Sequence, residues 1–194
     1  MIKLTISRVA GICGILLTVV SLSTILFSSI MVGLDWYQGI LSAIGGGNDL
    51  AAKIFNYGLI IAGIFGIVFA YGLFKVVDYI ISKIGCILFL VVSISIIGIG
   101  IFNIQYGGLH DLMAMLFFGI SPISIGIIGA GFIVKRRIKV GIVTIIPAVV
   151  NGVFAIILLG PLSAINEFVP VVSTAIWVFV ISTKLIQNTI SNKS

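Results

Sequence analysis

The stretch Ile127-Ile128-Gly129-Ala130-Gly131-Phe132-Ile133-Val134-Lys135-Arg136-Arg137-Ile138-Lys139-Val140-Gly141-Ile142-Val143 decides the fold. Two apolar runs meet at a knot of four basic residues. Each run continues far beyond the quoted segment without a charge, to roughly 20 residues or more, which is the length that crosses a hydrocarbon layer as a helix. The runs are too long for barrel strands and do not alternate polar with apolar, so their high Ile and Val content does not make them β.

Working outward, the same pattern recurs six times, and the composition agrees: 60% of residues are hydrophobic and only 8% charged, which excludes a water-soluble fold. The spans are expected near residues 9–32, 54–74, 84–102, 109–134, 140–159 and 168–186. The chain therefore reads as all-α, one polytopic six-helix transmembrane domain over residues 1–194 with no soluble domain. The first span is too long for a signal-peptide core and lacks a clear small-x-small cleavage site, so it is expected to be retained.

Six spans sort the charges by side. Lys3, Arg8, Lys75, Lys83, Lys135, Arg136, Arg137, Lys139, Lys184 and Lys193 fall on one side with Asp78; Lys53 stands on the other with Asp35, Asp49, Asp111 and Glu167. The positive-inside rule then puts both termini in the cytoplasm. An odd number of spans would destroy this sorting. The net charge of +6 is thus a topology signal rather than a nucleic-acid footprint, because no basic patch lies on a soluble surface. Lys135 to Lys139 could touch anionic headgroups, although an inside anchor for a hairpin accounts for them.

The largest outer excursion runs from Gly33 to Lys53. Its Gly45-Gly46-Gly47-Asn48 segment reads as flexible or tightly turned, and Asp35-Trp36-Tyr37 reads as an interfacial anchor. The other loops are short, so successive helices are expected to be antiparallel neighbours. Cys13 and Cys86 lie inside spans, where packing is the expected role. Gly11, Gly14, Gly58, Gly63, Gly66, Gly98, Gly100, Gly126 and Ala130 supply close-packing faces, together with Ser21 and Ser28. Pro122 and Pro147 are expected to kink the fourth and fifth helices, and Asn151 to turn its amide into the bundle.

Polar groups with chemical potential collect on the outer side. Asn56 opens the second helix, Asn103 ends the third, and His110 with Asp111 opens the fourth; these four are the candidate ligand-binding residues. Gln105, Tyr106, Asp35, Asp49, Asn166 and Glu167 could join the same rim. His110 and Asp111 are weak candidates for acid–base work, since adjacent helical residues diverge by roughly 100°. The single histidine excludes a bis-histidine haem within one chain. No zinc-protease helix, cysteine cluster, nucleophile elbow or phosphate loop occurs, so neither cofactor nor metal is expected.

Phe55-Asn56-Tyr57-Gly58-Leu59, Gly100-Ile101-Phe102, and His110 followed by Ala114 and Phe117-Phe118 resemble a domain family of uncharacterised six-span membrane proteins common in archaea and bacteria. That family is distantly grouped with the Frag1, DRAM and Sfk1 type. The resemblance spans nearly the whole chain and implies no activity; it would match polar positions at Asn56 and His110. The Ile- and Gly-rich composition would suit an archaeal membrane.

Three readings follow: a lipid-binding or accessory protein, which is favoured; a small-solute transporter; or an outer-leaflet lipid-modifying enzyme using His110. The expected partners are membrane lipids, with a membrane protein or a second copy of the chain as further possibilities, and no nucleic acid. The side assignment is tested with single cysteines in a chain lacking Cys13 and Cys86: a cysteine in the loop at Lys139 should resist an impermeant thiol reagent in intact cells, and labelling there would overturn the topology.

Overall fold

The computed structural model describes residues 2–160 and 162–187, with side chains from Thr5 onward; Lys193 and the side chain of Lys3 lie outside the described residues. Six long helices dominate: α1 (Ile2–Val32), α2 (Leu50–Val76), α3 (Ile80–Ile101), α4 (Gly108–Val134), α5 (Ile138–Ile157) and α6 (Ala164–Ile186). All six are long and apolar enough to cross a membrane. Several begin before the apolar run does, because a polar residue caps them. The Asp49 carboxylate accepts from the Ala52 N–H at 2.9 Å and starts α2 at Leu50. Ser163 caps α6 and starts it at Ala164.

Each helix packs against its chain neighbours, and α6 closes the ring on α1. Glycine sets the spacing. A Cβ on Gly63 of α2 would lie 2.8 Å from the Ser93 carbonyl of α3, and one on Gly85 of α3 would lie 2.9 Å from both the Ser124 carbonyl and the Ile128 N of α4. Gly58 meets Thr24 across α1–α2, Gly129 meets Ile145 across α4–α5, and Gly11 meets Ser182 across α1–α6. In lipid, where apolar surface alone does not drive helices together, such backbone approach is the main source of association.

Hydroxyls reinforce these seams. Ser7 donates to the Leu185 carbonyl at 2.6 Å, Thr18 to the Ala175 carbonyl at 3.2 Å, and Ser124 to the Gly85 carbonyl at 2.9 Å. Other buried hydroxyls, among them Ser28, Ser29 and Ser93, donate to carbonyls four residues back in their own helix.

The α5–α6 seam is built differently. It is the thinnest of the six contacts, and among the described residues no glycine approaches across it. Asn151 bridges it instead, 1% exposed and turned into the bundle as the sequence suggests. Its amide meets Thr174 Oγ1 at 2.7 Å in either orientation. With Oδ1 accepting there, Nδ2 donates to the carbonyls of Pro147 and Pro170 at 3.3 and 3.2 Å, so both ends are satisfied. Pro122 and Pro147 lie inside unbroken helices, and α6 adds a third internal proline, Pro170.

The ring's interior is plugged by Phe69, Phe89 and Trp177, with ring centroids 5.1–6.0 Å apart and edge-to-face geometry. At the end that carries the termini, Lys75, Lys83 and Lys135 each sit over an aromatic ring, of Tyr71, Phe74 and Tyr79 respectively. Cys13 and Cys86 are free thiols, Cys86 buried in the core.

Gly85→Ala should lower bundle stability by about 1–3 kcal/mol, because α3 and α4 must separate, and Asn151→Ala by about 0.6–1.7 kcal/mol. Gly119→Ala, whose Cβ meets nothing within 4 Å, is the neutral control. Reversible unfolding in mixed micelles reads all three; a Gly85→Ala protein as stable as the control would refute the packing account.

Candidate functional site

The segment between α1 and α2 is ordered. Gly33 turns the chain at a φ of +63°, a left-handed value that favours glycine. Asp35 accepts from the Tyr37 and Gln38 N–H groups at 2.8 and 3.1 Å, which holds its carboxyl below the usual carboxylate range. A short 3-10 helix, Leu41–Gly46, then lies across the end of the bundle as a lid. The glycine stretch thus takes the tight-turn alternative: Gly45 and Gly46 belong to this helix. Trp36 packs on Phe168 with centroids 5.0 Å apart, and Tyr37 is left exposed.

The lid is fastened at both ends. Ile40 offers no side-chain cap, so the amides at the start of the lid helix need a partner from elsewhere. Glu167, one turn into α6 and 6% exposed, supplies it: Oε2 accepts from Leu41 N–H at 2.6 Å and Ser42 N–H at 3.3 Å, and Oε1 accepts from Ser42 Oγ at 3.2 Å. At the far end Asn56 Nδ2 donates to the Gly45 carbonyl at 2.9 Å, and the Gln105 side chain donates to the Gly46 carbonyl. Backbone bonds from Ala164 to Gly39 and from Ile165 to Trp36 complete the seam.

His110 is placed by the turn before it. A 3-10 turn, Ile104–Tyr106, is started by Asn103, whose Oδ1 accepts from Gln105 N–H at 3.0 Å, and Gly107 then reverses the chain with a φ of +53°. This tucks His110, 4% exposed, beneath the end of α3. Its Nδ1 lies 2.9 Å from the Phe102 carbonyl. A carbonyl only accepts, so Nδ1 carries the proton and Nε2 is the nitrogen left for another partner.

Below the lid lies an apolar cavity of about 80 Å³ with walls that include Leu17, Ile25, Phe55, Leu59 and Phe89. A groove of about 410 Å³ runs down the flank between α4 and the α5–α6 connection, past Asp111, Met115, Gly119, Ala155, Leu159 and Leu162. Met115 and Leu159 are strongly exposed there, so the groove opens sideways. Cavity and groove share five residues: Ser42, His110, Ala114, Phe118 and Glu167. These form a polar throat between an open flank and an apolar interior.

Of the four candidates from the sequence, His110 and Asp111 thus line the groove, His110 buried and Asp111 exposed in the first turn of α4. Asn56 fastens the lid and Asn103 starts the turn before α4; the walls of cavity and groove include neither. Glu167 and Ser42 are the additions. Glu167 was visible as a carboxylate at the start of an apolar span, which marks a functional position by its cost alone; Ser42 carries no such signal. Among the described residues no group of three or more His, Cys, Asp or Glu is placed to hold a metal.

The six apolar helices define a multi-pass integral membrane protein, with a groove along one flank. The chain belongs to the family described as protein of unknown function DUF998, which matches residues 12–184. Neither a curated protein nor a solved structure matches it.

Glu167→Ala should free the lid. Removing a carboxylate that accepts three hydrogen bonds, at about 1.5–3 kcal/mol for a charged partner, should raise amide exchange at Leu41 and Ser42 roughly ten- to hundredfold. Unchanged protection would show that the lid is held by its apolar underside alone.

Proposed function

We propose that this protein binds a membrane amphiphile, taken laterally from the leaflet at the lid end, with the chain in the apolar cavity and the headgroup at the throat. The observation that carries this reading is that a sideways groove and an apolar cavity share the walls formed by His110, Glu167 and Ser42. Of the twelve residues quoted for the resemblance to the six-span family, six line the cavity: Phe55, Leu59, His110, Ala114, Phe117 and Phe118.

The proposal sets both termini in the cytoplasm, so that the groove faces the outer leaflet of a cell membrane, an archaeal one by composition. Basic residues at the end bearing the termini support this orientation, since Lys75, Lys83 and Lys135 lie over aromatic rings there, as interfacial anchors do. A protein partner or a second copy would then receive or present the bound amphiphile.

The transporter reading has less support, because Phe69, Phe89 and Trp177 fill the ring between the cavity and the opposite end. The enzyme reading has a candidate base in His110 Nε2. However, the Ser42 hydroxyl donates to Glu167, and Asp111 is exposed where His110 is buried, so among the described residues of the site no nucleophile–base pair is assembled.

Ala114→Phe should block the throat without touching the lid. Wild-type protein purified through extensive detergent washing should retain an amphiphile detectable by native mass spectrometry, and the variant should lose it while keeping its helical content and melting temperature. A wild-type protein that carries no amphiphile even after incubation with native lipid extract would refute the reading.

A further inference from the structure

We infer that the amphiphile recognised at this throat has a hydrogen-bond-donating headgroup without phosphate, a hydroxyl or an amine, on a single apolar chain. This rests on the lateral-binding reading above. The donors and acceptors that line the throat and the adjoining groove set this preference.

Glu167 and Asp111 present carboxylates, His110 has Nε2 as its uncommitted nitrogen, and the Ser42 hydroxyl proton is directed at Glu167. These groups are almost entirely acceptors towards a ligand. Among the described residues, neither Lys nor Arg lines the cavity or the groove. Glu167 in the throat and Asp111 in the adjoining groove set two carboxylates beside a single imidazole, so the site offers a phosphate no surplus of positive groups. A phosphate there would meet like charge with no guanidinium or ammonium to clamp it, whereas phosphate sites are built on such groups or on free backbone N–H groups. The N–H groups of Leu41 and Ser42 at the throat are already taken by Glu167. A hydroxyl or an ammonium, by contrast, donates directly to the groups present.

The cavity supports the single chain. At about 80 Å³ it is small, and Phe89 closes it on the side of the aromatic plug. Trp177 lies against Phe89 with centroids 5.1 Å apart, is fully buried, and is followed in α6 by the cavity-lining Val178. A chain that enters the cavity therefore comes close to Trp177, while lipid outside the bundle does not touch it.

This gives the test. The chain has two tryptophans, and Trp36→Phe leaves Trp177 as the only reporter. Three probes with the same dibrominated stearoyl-length chain are titrated into the protein in nanodiscs: a monoacylglycerol, a long-chain primary amine and a lysophosphatidic acid. Bromine quenches indole fluorescence only at close range. The monoacylglycerol, the amine or both should quench Trp177, and which of them does so separates a hydroxyl from an ammonium headgroup. The lysophosphatidic acid should need at least about tenfold more probe, the scale of like-charge repulsion at short range in a partly dry site. Asp111→Asn, which holds none of the lid contacts, should narrow that gap. Equal quenching by the phosphate probe, or a gap that Asp111→Asn leaves unchanged, overturns the headgroup inference but leaves lateral binding standing. If no probe quenches Trp177, lateral binding itself fails.

Discussion

In hydrocarbon no water is available to the backbone, so each N–H and C=O must find a partner within the protein. Helices meet this demand along their length and fail at their ends. Where the lid lies, the polar side chains answer that failure first. Asp49 and Ser163 cap α2 and α6, His110 serves the Phe102 carbonyl at the end of α3, and Glu167 and Asn56 serve the two ends of the lid helix. The throat is made from the groups that carry these duties, His110 and Glu167, with the exposed Asp111 in the groove beside them. A site built this way needs no separate catalytic loop, since the groups that close the helix ends also face the groove.

How much of this could be read in the sequence depends on whether the partner was a side chain. The six spans were legible because about 20 apolar residues in a row have one cheap solution in a bilayer. Asn151 was legible because a lone amide at mid-span has to turn inward. The lid helix was not, since Gly45-Gly46-Gly47-Asn48 satisfies the usual signal for a turn and its helical geometry depends on Glu167, 126 residues from Leu41. Glu167 could be placed only on a rim, because its partners are backbone amides, which leave no mark in the composition. His110 and Asp111 adjoin in sequence and separate in space by the ordinary angular step of a helix.

The seams of the ring match the position of the groove. The other five contacts draw on glycine approach, whereas α5 and α6 are joined by the Asn151 amide, and the groove opens beside their connection. The groove lies at the end of this thinner seam, where the exposed Leu159 and Leu162 of the connection line it.

Ring closure also has a meaning for biosynthesis. Helices α1 to α5 can pair in the order in which they emerge, each against its predecessor. The last contact is of another kind: Ser7 reaches the Leu185 carbonyl across 178 residues, and Gly11 meets Ser182. Until α6 arrives, the inner face of α1, with Ser7 and Thr18, faces lipid, and Phe69 and Phe89 lack Trp177 between them. A nascent chain held at the ribosome or the translocon before that point is an open strip with a sticky edge. The arrival of α6 is therefore a quality mark, since the cavity lacks the wall that Val171, Thr174, Ala175 and Val178 provide until then.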